Sequence, residues 1–422
     1  MNAASNVSAR REAILATLRS ILVDDLAVRI PGDALGPDIP LFGLGVGLDS
    51  VDGVELALAV EREFGVEIPQ DERFPAITRS LNCIADHVLG VERDDGAPPV
   101  HATLRCSVAL VRNEDLTVVE LRAERVEALW EALEHVLPCE LVLYDGQARP
   151  AILLDERGCV RADVTVASLQ GSVLVFAEGV DGPALVDLLA PFSDRVEIRD
   201  VSPDVTSIGL HGPYAWELVG AWIGRKVSVL PPLGIMRLPS GVTVLRSGRT
   251  GEYGFEVILP RALAPELLAK LAGLGRRFDL AEISPDDLAA AIVETGGFSA
   301  RALLRKPLSP AELQLDWRLA PKLRRQRASG PSGERRSVLF RAASPSEGPL
   351  YLGERVLGEV VFSHRRSDGT AFGLALVETA SSHPGLTLTT ESGATVTTHS
   401  APLVRPRSLG VRPQVDRFER HP

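Results

Sequence analysis

The sequence predicts a multidomain protein: an all-α four-helix bundle, then an α+β domain, then a small C-terminal β-barrel. Three observations predict this order. Apolar residues recur at helical spacing over the first 92 residues, strands then alternate with helices, and from about residue 337 the pattern is all strand. The predicted boundaries are 1–92 for the bundle, 93–101 for a polar linker, 102–336 for the α+β domain and 337–422 for the barrel.

Ser50 is expected to begin a helix of the bundle. Asp49 beside it is a capping candidate, and the helix that follows, residues 51–64, is acidic and amphipathic. We expect its apolar face to contain Val51, Val54, Leu58 and Phe64. A helix N-terminus has free N–H groups and a positive dipole end, so a phosphate ester on the Ser50 hydroxyl would be stabilised there.

The surroundings of Ser50 favour a specialised role over that of an ordinary helix start. A helix over about residues 10–22 and a loop rich in Pro and Gly precede it, and a last helix over about 77–89 follows. Together with the motif Gly47-Leu48-Asp49-Ser50-Val51, this region resembles an acyl carrier protein. The resemblance implies that Ser50 carries 4′-phosphopantetheine, whose thiol holds acyl or aminoacyl groups as thioesters. It also implies a phosphopantetheinyl transferase, a loading enzyme and other biosynthetic enzymes as partners docking on the acidic helix.

Composition excludes several classes of protein. No run of 18 apolar residues is present and the N-terminus is not a signal peptide, so we expect no membrane span. The four cysteines are scattered and the eight histidines form no ligand cluster, which predicts reduced thiols in the cytoplasm and no metal site.

The charge of the chain is unevenly distributed. Residues 1–92 have 7 Arg, no Lys and 15 Asp or Glu, a net charge of −8, whereas the whole chain has −11. An acidic module suits docking onto basic protein surfaces and argues against nucleic-acid binding. Residues 301–336 contain ten Lys or Arg, and we expect the acidic helix to dock near Lys322, Arg324, Arg325 and Arg327. The alternative is a solvated connector.

Several segments of residues 116–406 resemble the glycine-cleavage T-protein (aminomethyltransferase) family, which binds tetrahydrofolate. They include the turn at 156–163, the Gly-Pro-x-Ala turn at 212–215, Arg-Ser-Gly-Arg-Thr-Gly-Glu-Tyr-Gly-Phe-Glu at 246–256, and Ser-Pro-Ala-Glu at 309–312 followed by Trp317. Their order along nearly 300 residues makes the resemblance specific.

The resemblance implies roles for particular residues. Glu252 would bind the pteridine of folate, because a carboxylate accepts hydrogen bonds from the adjacent amino group and ring N–H. Asp163 would orient an amine near the reactive folate nitrogen and handle its proton. Arg246 and Arg249 lie in the same motif and are candidate cofactor-binding residues. The alternatives are a surface hairpin residue for Glu252 and a turn residue for Asp163.

The chain also departs from the family pattern. Arg249 replaces a tyrosine, Ile292 stands where the family has an arginine, and the segment ending at Glu178 lacks the usual asparagine. Ala162 stands where the family has the first residue of an Asp-Asp pair, and the family's N-terminal section is largely missing.

The sequence therefore leaves three functions open. In the first, a tetrahydrofolate-dependent transferase acts on a one-carbon unit of a group tethered at Ser50, in natural-product biosynthesis. In the second, the carrier is fused to a degenerate, non-catalytic folate-type domain that serves as a docking scaffold. In the third, a folate-independent enzyme acts on the tethered acyl group. Folate binding by residues 100–422 would discriminate among them.

Overall fold

The chain forms two compact units. The computed structural model describes residues 3–42, 45–71, 73–91, 98–224, 227, 230–328 and 334–408. One unit contains residues 1–100, 293–296 and 309–405, and the other contains 101–292, 297–308 and the segment from Pro406 onward. The side chains of Arg325 and Arg327, and residues 93–97 of the predicted linker, lie outside the described part of the chain.

The N-terminal region is helical, as predicted. Its helices are α1 (Ala3–Ser20), α2 (Ser50–Phe64), α3 (Phe74–Ile77) and α4 (Leu81–Leu89), and α1 continues into a π-helical turn, Ile21–Asp25. Both α2 and α4 end at a glycine with positive φ, Gly65 at 66° and Gly90 at 67°, a conformation that glycine adopts without steric cost. Leu15, Leu18 and Leu56 pack in the core of this region.

Of the four residues predicted for the apolar face of α2, only Phe64 packs against the core, and the prediction is wrong for the other three. Val51, Val54 and Leu58 are 63%, 46% and 59% exposed, whereas Leu56 and Val60 are buried. The helix has apolar residues on two faces, and close packing at Gly53 selects the inward one. A Cβ at Gly53 would lie 3.2 Å from the Phe42 ring and 3.4 Å from the Phe74 ring, so the glycine permits this approach.

The second unit is built from two sheets and their covering helices. Its helices are α5 (Thr103–Cys106), α6 (Val126–Val136), α7 (Gly182–Leu189), α8 (Ala215–Ile223), α9 (Ala264–Gly275), α10 (Pro285–Glu294, which ends in the first unit) and α11 (Ala300–Leu303). Its strands are β1 (Ala109–Asn113), β2 (Thr117–Arg122), β3 (Ala148–Leu154), β4 (Val160–Leu169), β5 (Ser172–Glu178), β6 (Glu197–Asp200), β7 (Val205–His211), β8 (Ile235–Arg237), β9 (Thr243–Arg246), β10 (Gly254–Pro260) and β11 (Ala281–Glu282).

The strands form a six-stranded sheet, β11-β1-β7-β10-β9-β8, and a five-stranded sheet, β3-β4-β5-β2-β6. Because side chains alternate along a strand, each sheet has two distinct faces. Helices α8 and α9 cover one face of the larger sheet, and α6 and α7 cover one face of the smaller sheet. On the remaining faces, Phe176 and Leu174 of β5 belong to one apolar cluster with Leu245 of β9 and Ile258 of β10, so the two sheets pack against each other.

The C-terminal β-barrel is confirmed. It is a closed barrel in the order β12-β15-β14-β13-β16-β17, preceded by α12 (Pro321–Ala328). Its strands are β12 (Arg335–Ala342), β13 (Pro349–Leu352), β14 (Arg355–Arg365), β15 (Ala371–Glu378), β16 (Thr387–Thr390) and β17 (Thr395–His399). Phe340 and Leu350 are fully buried inside it. The sequence-based fold class, with an α+β domain between a helical region and a barrel, is therefore confirmed.

Candidate functional site

Ser50 is the first residue of α2 and is exposed to solvent. The predicted cap is present: Asp49 Oδ1 accepts hydrogen bonds from the N–H groups of Val51 (2.7 Å) and Asp52 (3.0 Å). Asp52 Oδ2 accepts one from the Asp49 N–H in return (2.8 Å), which completes a capping box. The cap therefore occupies the N–H groups of Val51 and Asp52, so these two are not free to bind a phosphate on Ser50. The positive end of the helix dipole still favours an anion there.

The layer between the two sheets changes from apolar to charged where the first half of β4 lies beside the end of β5. Asp163 of β4 pairs with Glu178 of β5 in the antiparallel register. Because side chains alternate, Glu178 lies on the same face of the sheet as Phe176, two residues earlier, which packs between the sheets. The two carboxylates are thus directed toward the six-stranded sheet.

Arg249 binds both of these carboxylates. Its Nη1 lies 2.7 Å from Glu178 Oε1, and its Nη2 lies 2.9 Å from Asp163 Oδ2 and 3.2 Å from Glu178 Oε2. Burial alone would raise the pKa of Glu178, but the charge and hydrogen bonds of Arg249 hold that pKa below its ordinary value. Burial would likewise lower the pKa of Arg249, yet Glu178 and Asp163 raise it. Arg249 therefore forms an ion pair with Asp163, the predicted catalytic carboxylate.

Glu252 is a buried carboxylate with partners from its own chain. Its side chain is fully buried, and Oε1 accepts hydrogen bonds from Arg105 Nη1 (3.1 Å) and the N–H of Arg407 (2.8 Å). Oε2 accepts from the Ser408 N–H at 2.7 Å and from the Ser408 hydroxyl. Glu252 is thus not a surface hairpin residue. Two adjacent backbone N–H groups occupy its carboxylate in the way that the pteridine edge is expected to.

Sequence reasoning missed a set of buried polar atoms around this turn. Within the described part of the chain, both ring nitrogens of His211, Ser247 Oγ and Thr250 Oγ1 are buried and lack a hydrogen-bond partner. His211 Nε2 lies 3.4 Å from Glu256 Oε1 on the neighbouring strand. A Cβ at Gly209 or Gly254 would come within 2.6 or 2.8 Å of the His211 ring, so the glycines make room for it. The sequence signal that could have identified this site is the position of His211 immediately before the Gly-Pro turn.

Two family models match the chain. One, described as the GCVT N-terminal domain, matches residues 96–322, more than half of the sequence. The chain belongs to the GCVT family. The other model, described as a phosphopantetheine attachment site, matches residues 16–77. An acyl carrier protein from Akkermansia muciniphila is 37% identical over 79 residues, which are 19% of this chain and 89% of that protein. The N-terminal region of the present chain therefore belongs to the acyl carrier family.

The relatives of the GCVT domain are aminomethyltransferases. The protein from Chlorobium phaeovibrioides is 28% identical over 181 residues, covering 41% of this chain and 50% of the relative. The one from Corynebacterium aurimucosum is 26% identical over 263 residues, covering 56% and 70%. The chain thus spans about half the length of several of these relatives. The crystal structure of the glycine cleavage system aminomethyltransferase T from Bartonella henselae has a TM-score of 0.62 at 21% identity, covering 73% of this chain and 89% of that one, which shows the shared fold.

Arg246 of the GCVT domain braces a loop. Its Nη1 donates a 2.7 Å hydrogen bond to the Leu230 carbonyl, and its guanidinium lies 5.5 Å from the centre of the Tyr253 ring. Burial lowers the pKa of Arg246. Arg246 therefore links the motif at 246–256 to the loop that contains Leu230. Its predicted contact with a cofactor stays a prediction.

A cavity of about 270 Å³ opens beside Glu178 in the GCVT domain. Asn113, Glu178 and Arg301 contribute polar groups to its wall, and Leu288 and Ile292 contribute apolar ones. Ile292 is 2% exposed, so α10 contributes apolar side chains to the wall, whereas Arg161 and Arg301 are the cations of the lining. The cavity is therefore apolar on the α10 side and polar on the side of the β5 carboxylate.

Neither a metal-binding group of three or more His, Cys, Asp or Glu nor a helix long and apolar enough to cross a membrane occurs among the described residues.

Proposed function

We propose that this protein transfers a one-carbon unit between tetrahydrofolate and an acyl or aminoacyl group held as a thioester on Ser50, in the biosynthesis of a natural product. The observation that supports this most is the covalent fusion of an acyl carrier domain, with an exposed and capped Ser50, to a GCVT domain. A tethered substrate has a high local concentration, so the domain needs little intrinsic affinity for it. A phosphopantetheinyl transferase and a loading enzyme are the partners that this function requires.

The residues around Glu252 fit a folate chemically. A buried carboxylate that accepts two adjacent N–H donors is the acceptor that a pteridine edge needs, and the unsatisfied polar atoms of His211, Ser247 and Thr250 surround the same turn. Glu252 would hold the pteridine, and bound tetrahydrofolate would supply or accept the one-carbon unit.

Asp163 would act on the amine that receives or releases this unit. Its carboxylate lies 2.9 Å from the Arg249 guanidinium, and a carboxylate can accept a proton or orient an ammonium. Arg249 would position Asp163 through their shared ion pair with Glu178.

Two observations favour the scaffold as a second candidate function. The N–H groups of Arg407 and Ser408 donate hydrogen bonds to both oxygens of Glu252. Arg249 already binds Asp163. In a protein without catalysis, both arrangements would simply stabilise the fold, and the carrier would bring its thioester to other enzymes.

Calorimetric titration of the full chain with tetrahydrofolate separates these candidates. We expect binding by the wild type and a loss of roughly 2–3 kcal/mol in Glu252→Gln, because a bidentate charge-assisted pair becomes a weaker one. The matched control is Glu266→Gln, an exposed glutamate of the same unit, which should bind as the wild type does. No detectable binding by the folded wild type would favour the scaffold, and equal binding by Glu252→Gln would remove Glu252 from the site.

A further inference from the structure

Helix α4 of the carrier has two different buried faces. All of its first six residues are buried. Leu81, Ile84 and Ala85 belong to the carrier's own apolar core. Asn82, Cys83 and Asp86 lie on the other face, with exposures of 1%, 1% and 3%, although two of them are polar. A polar helix face buried this completely must be covered by something that satisfies its hydrogen bonds.

The polar face of α4 is covered by the segment that follows the last strand of the C-terminal barrel. The Ser400 hydroxyl donates to Asp86 Oδ2 at 2.7 Å, and the Ala401 carbonyl accepts from the Cys83 thiol at 3.2 Å. The other oxygen of Asp86 is bound by Arg11 at 2.6 Å, so the buried carboxylate is neutralised inside the carrier. Ser400 thus completes a network that begins in the carrier.

A second contact lies in the loop before α2. Asp38 Oδ1 accepts hydrogen bonds from the Ala401 N–H and from Asn82 Nδ2, both at 3.0 Å. Gln314, which donates to the Ser337 carbonyl of β12, also approaches this loop. Its Oε1 lies 2.5 Å from where a Cβ of Gly36 would be, so only glycine permits this distance.

We propose that the carrier is held on the barrel as a fixed module, with α4 and residues 36–38 as its docking face. This docking face is distinct from the exposed residues Val51, Val54 and Leu58 of α2, beside Ser50. Partner enzymes therefore reach α2 and Ser50 while the carrier stays in place. The phosphopantetheine arm moves, and the carrier domain does not swing on its linker.

The physical basis is the combination of buried, charge-assisted hydrogen bonds with a covalent connection. Hydrogen bonds to a carboxylate are stronger than neutral ones, and Asp38 and Asp86 each accept one from the barrel segment. The carrier and the barrel belong to one chain, so docking is intramolecular, with an effective concentration of up to about millimolar. A modest intrinsic affinity then keeps the docked state dominant.

The test uses the full chain with a protease site placed within residues 93–97. After cleavage, the carrier fragment of the wild type should co-elute with the rest of the protein in gel filtration. Ser400→Asp places a second carboxylate against Asp86, and we expect the fragment to separate, with a dissociation constant raised roughly tenfold or more. Ser344→Asp changes an exposed serine of the same unit and should leave co-elution intact.

Two further variants test the separation of the faces. Val54→Glu with Leu58→Glu should keep the fragments together but slow phosphopantetheine loading of Ser50, because only α2 is changed. Loading of the Ser400→Asp carrier at the wild-type rate shows that it is folded. Separation of the wild-type fragments on cleavage, or retention in Ser400→Asp, would overturn the proposal. Release by Arg324→Glu with Arg325→Glu, but not by Ser400→Asp, would place docking at the basic segment expected from the sequence.

Discussion

Asp163 and Glu178 lie opposite each other on adjacent strands and share one guanidinium, that of Arg249. Two carboxylates on neighbouring strands repel each other unless a cation lies between them. Arg249 supplies that cation. We therefore expect its ion pairs to contribute to the stability of the domain at the position of the proposed chemistry.

Removing Arg249 should destabilise the GCVT domain. In Arg249→Met two partly buried carboxylates lose their counter-ion, and we expect the free energy of unfolding at neutral pH to fall by about 3 kcal/mol. Urea denaturation of the wild type and the variant measures this difference in the free energy of unfolding. The control is Arg157→Met, which removes an exposed arginine and should change the stability by less than about 0.5 kcal/mol.

The same variant has a pH signature. Because the pKa of Glu178 in the folded protein lies below its ordinary value of 4.5, its ion pair stabilises the fold above that pH. The stabilisation is lost as the pH falls through the folded-state pKa. The difference in stability between wild type and Arg249→Met should therefore narrow below about pH 4.5. A constant difference across that range would show that Arg249 stabilises the domain by packing alone.

Ser408 should compete with folate for Glu252. Proline at this position removes both the N–H and the hydroxyl that bind Glu252 Oε2. If the segment must leave before a pteridine binds, Ser408→Pro should tighten tetrahydrofolate binding by roughly tenfold, the equivalent of one or two hydrogen bonds. Ser408→Ala removes the hydroxyl alone and should give a smaller gain. Weaker binding in the proline variant would instead make the segment part of the folate site.

Asp163 should affect turnover more than binding. Asp163→Asn keeps the size of the side chain and its contact with Arg249 but cannot accept the proton. We expect unchanged tetrahydrofolate affinity and a transfer rate lowered by roughly 10²-fold or more, the usual scale of general acid–base catalysis. Rates are measured on the loaded carrier in single-turnover reactions. A wild-type rate would leave Asp163 with the structural role of binding Arg249.

Ser50 should be the sole site of phosphopantetheine attachment. Incubation with a phosphopantetheinyl transferase and coenzyme A should add one arm to the wild type, measured by intact-protein mass. Ser50→Ala should remain unmodified, while Ser344→Ala, at an exposed serine of the barrel, should load normally. A modified Ser50→Ala protein would move the site elsewhere.

The sequence predicted the long elements well and the pairing of side chains poorly. The capping residue Asp49 is a local signal, so the start of α2 could be predicted. The turn expected at 156–163 is wrong in its second half, because β4 begins at Val160 and Asp163 lies within this strand. Strand β1, Ala109–Asn113, is short and lacks a distinct alternation signal, so the sequence alone does not predict it. Which apolar stripe of α2 faces inward depends on the Phe42 and Phe74 rings, which only the folded chain places beside Gly53.

The candidate site shows the same limit. The motif at 246–256 identified Glu252 and Arg249 as residues of interest. Their partners come from far along the chain: Arg249 binds Asp163, 86 residues away, and Glu252 binds Ser408, 156 residues away. Such pairings depend on sheet register and on the path of the C-terminal segment, for which a single sequence contains no local signal.

The most direct measurement is the mass of the phosphopantetheine arm after reaction. The holo-protein is loaded at Ser50 with a panel of acyl and aminoacyl groups, incubated with methylene- and methyl-tetrahydrofolate, and the arm is released and weighed. We predict a gain of one carbon on at least one tethered group in the wild type, slowed in Asp163→Asn. An arm unchanged across the panel, in a protein that binds tetrahydrofolate, would contradict one-carbon transfer to the carrier.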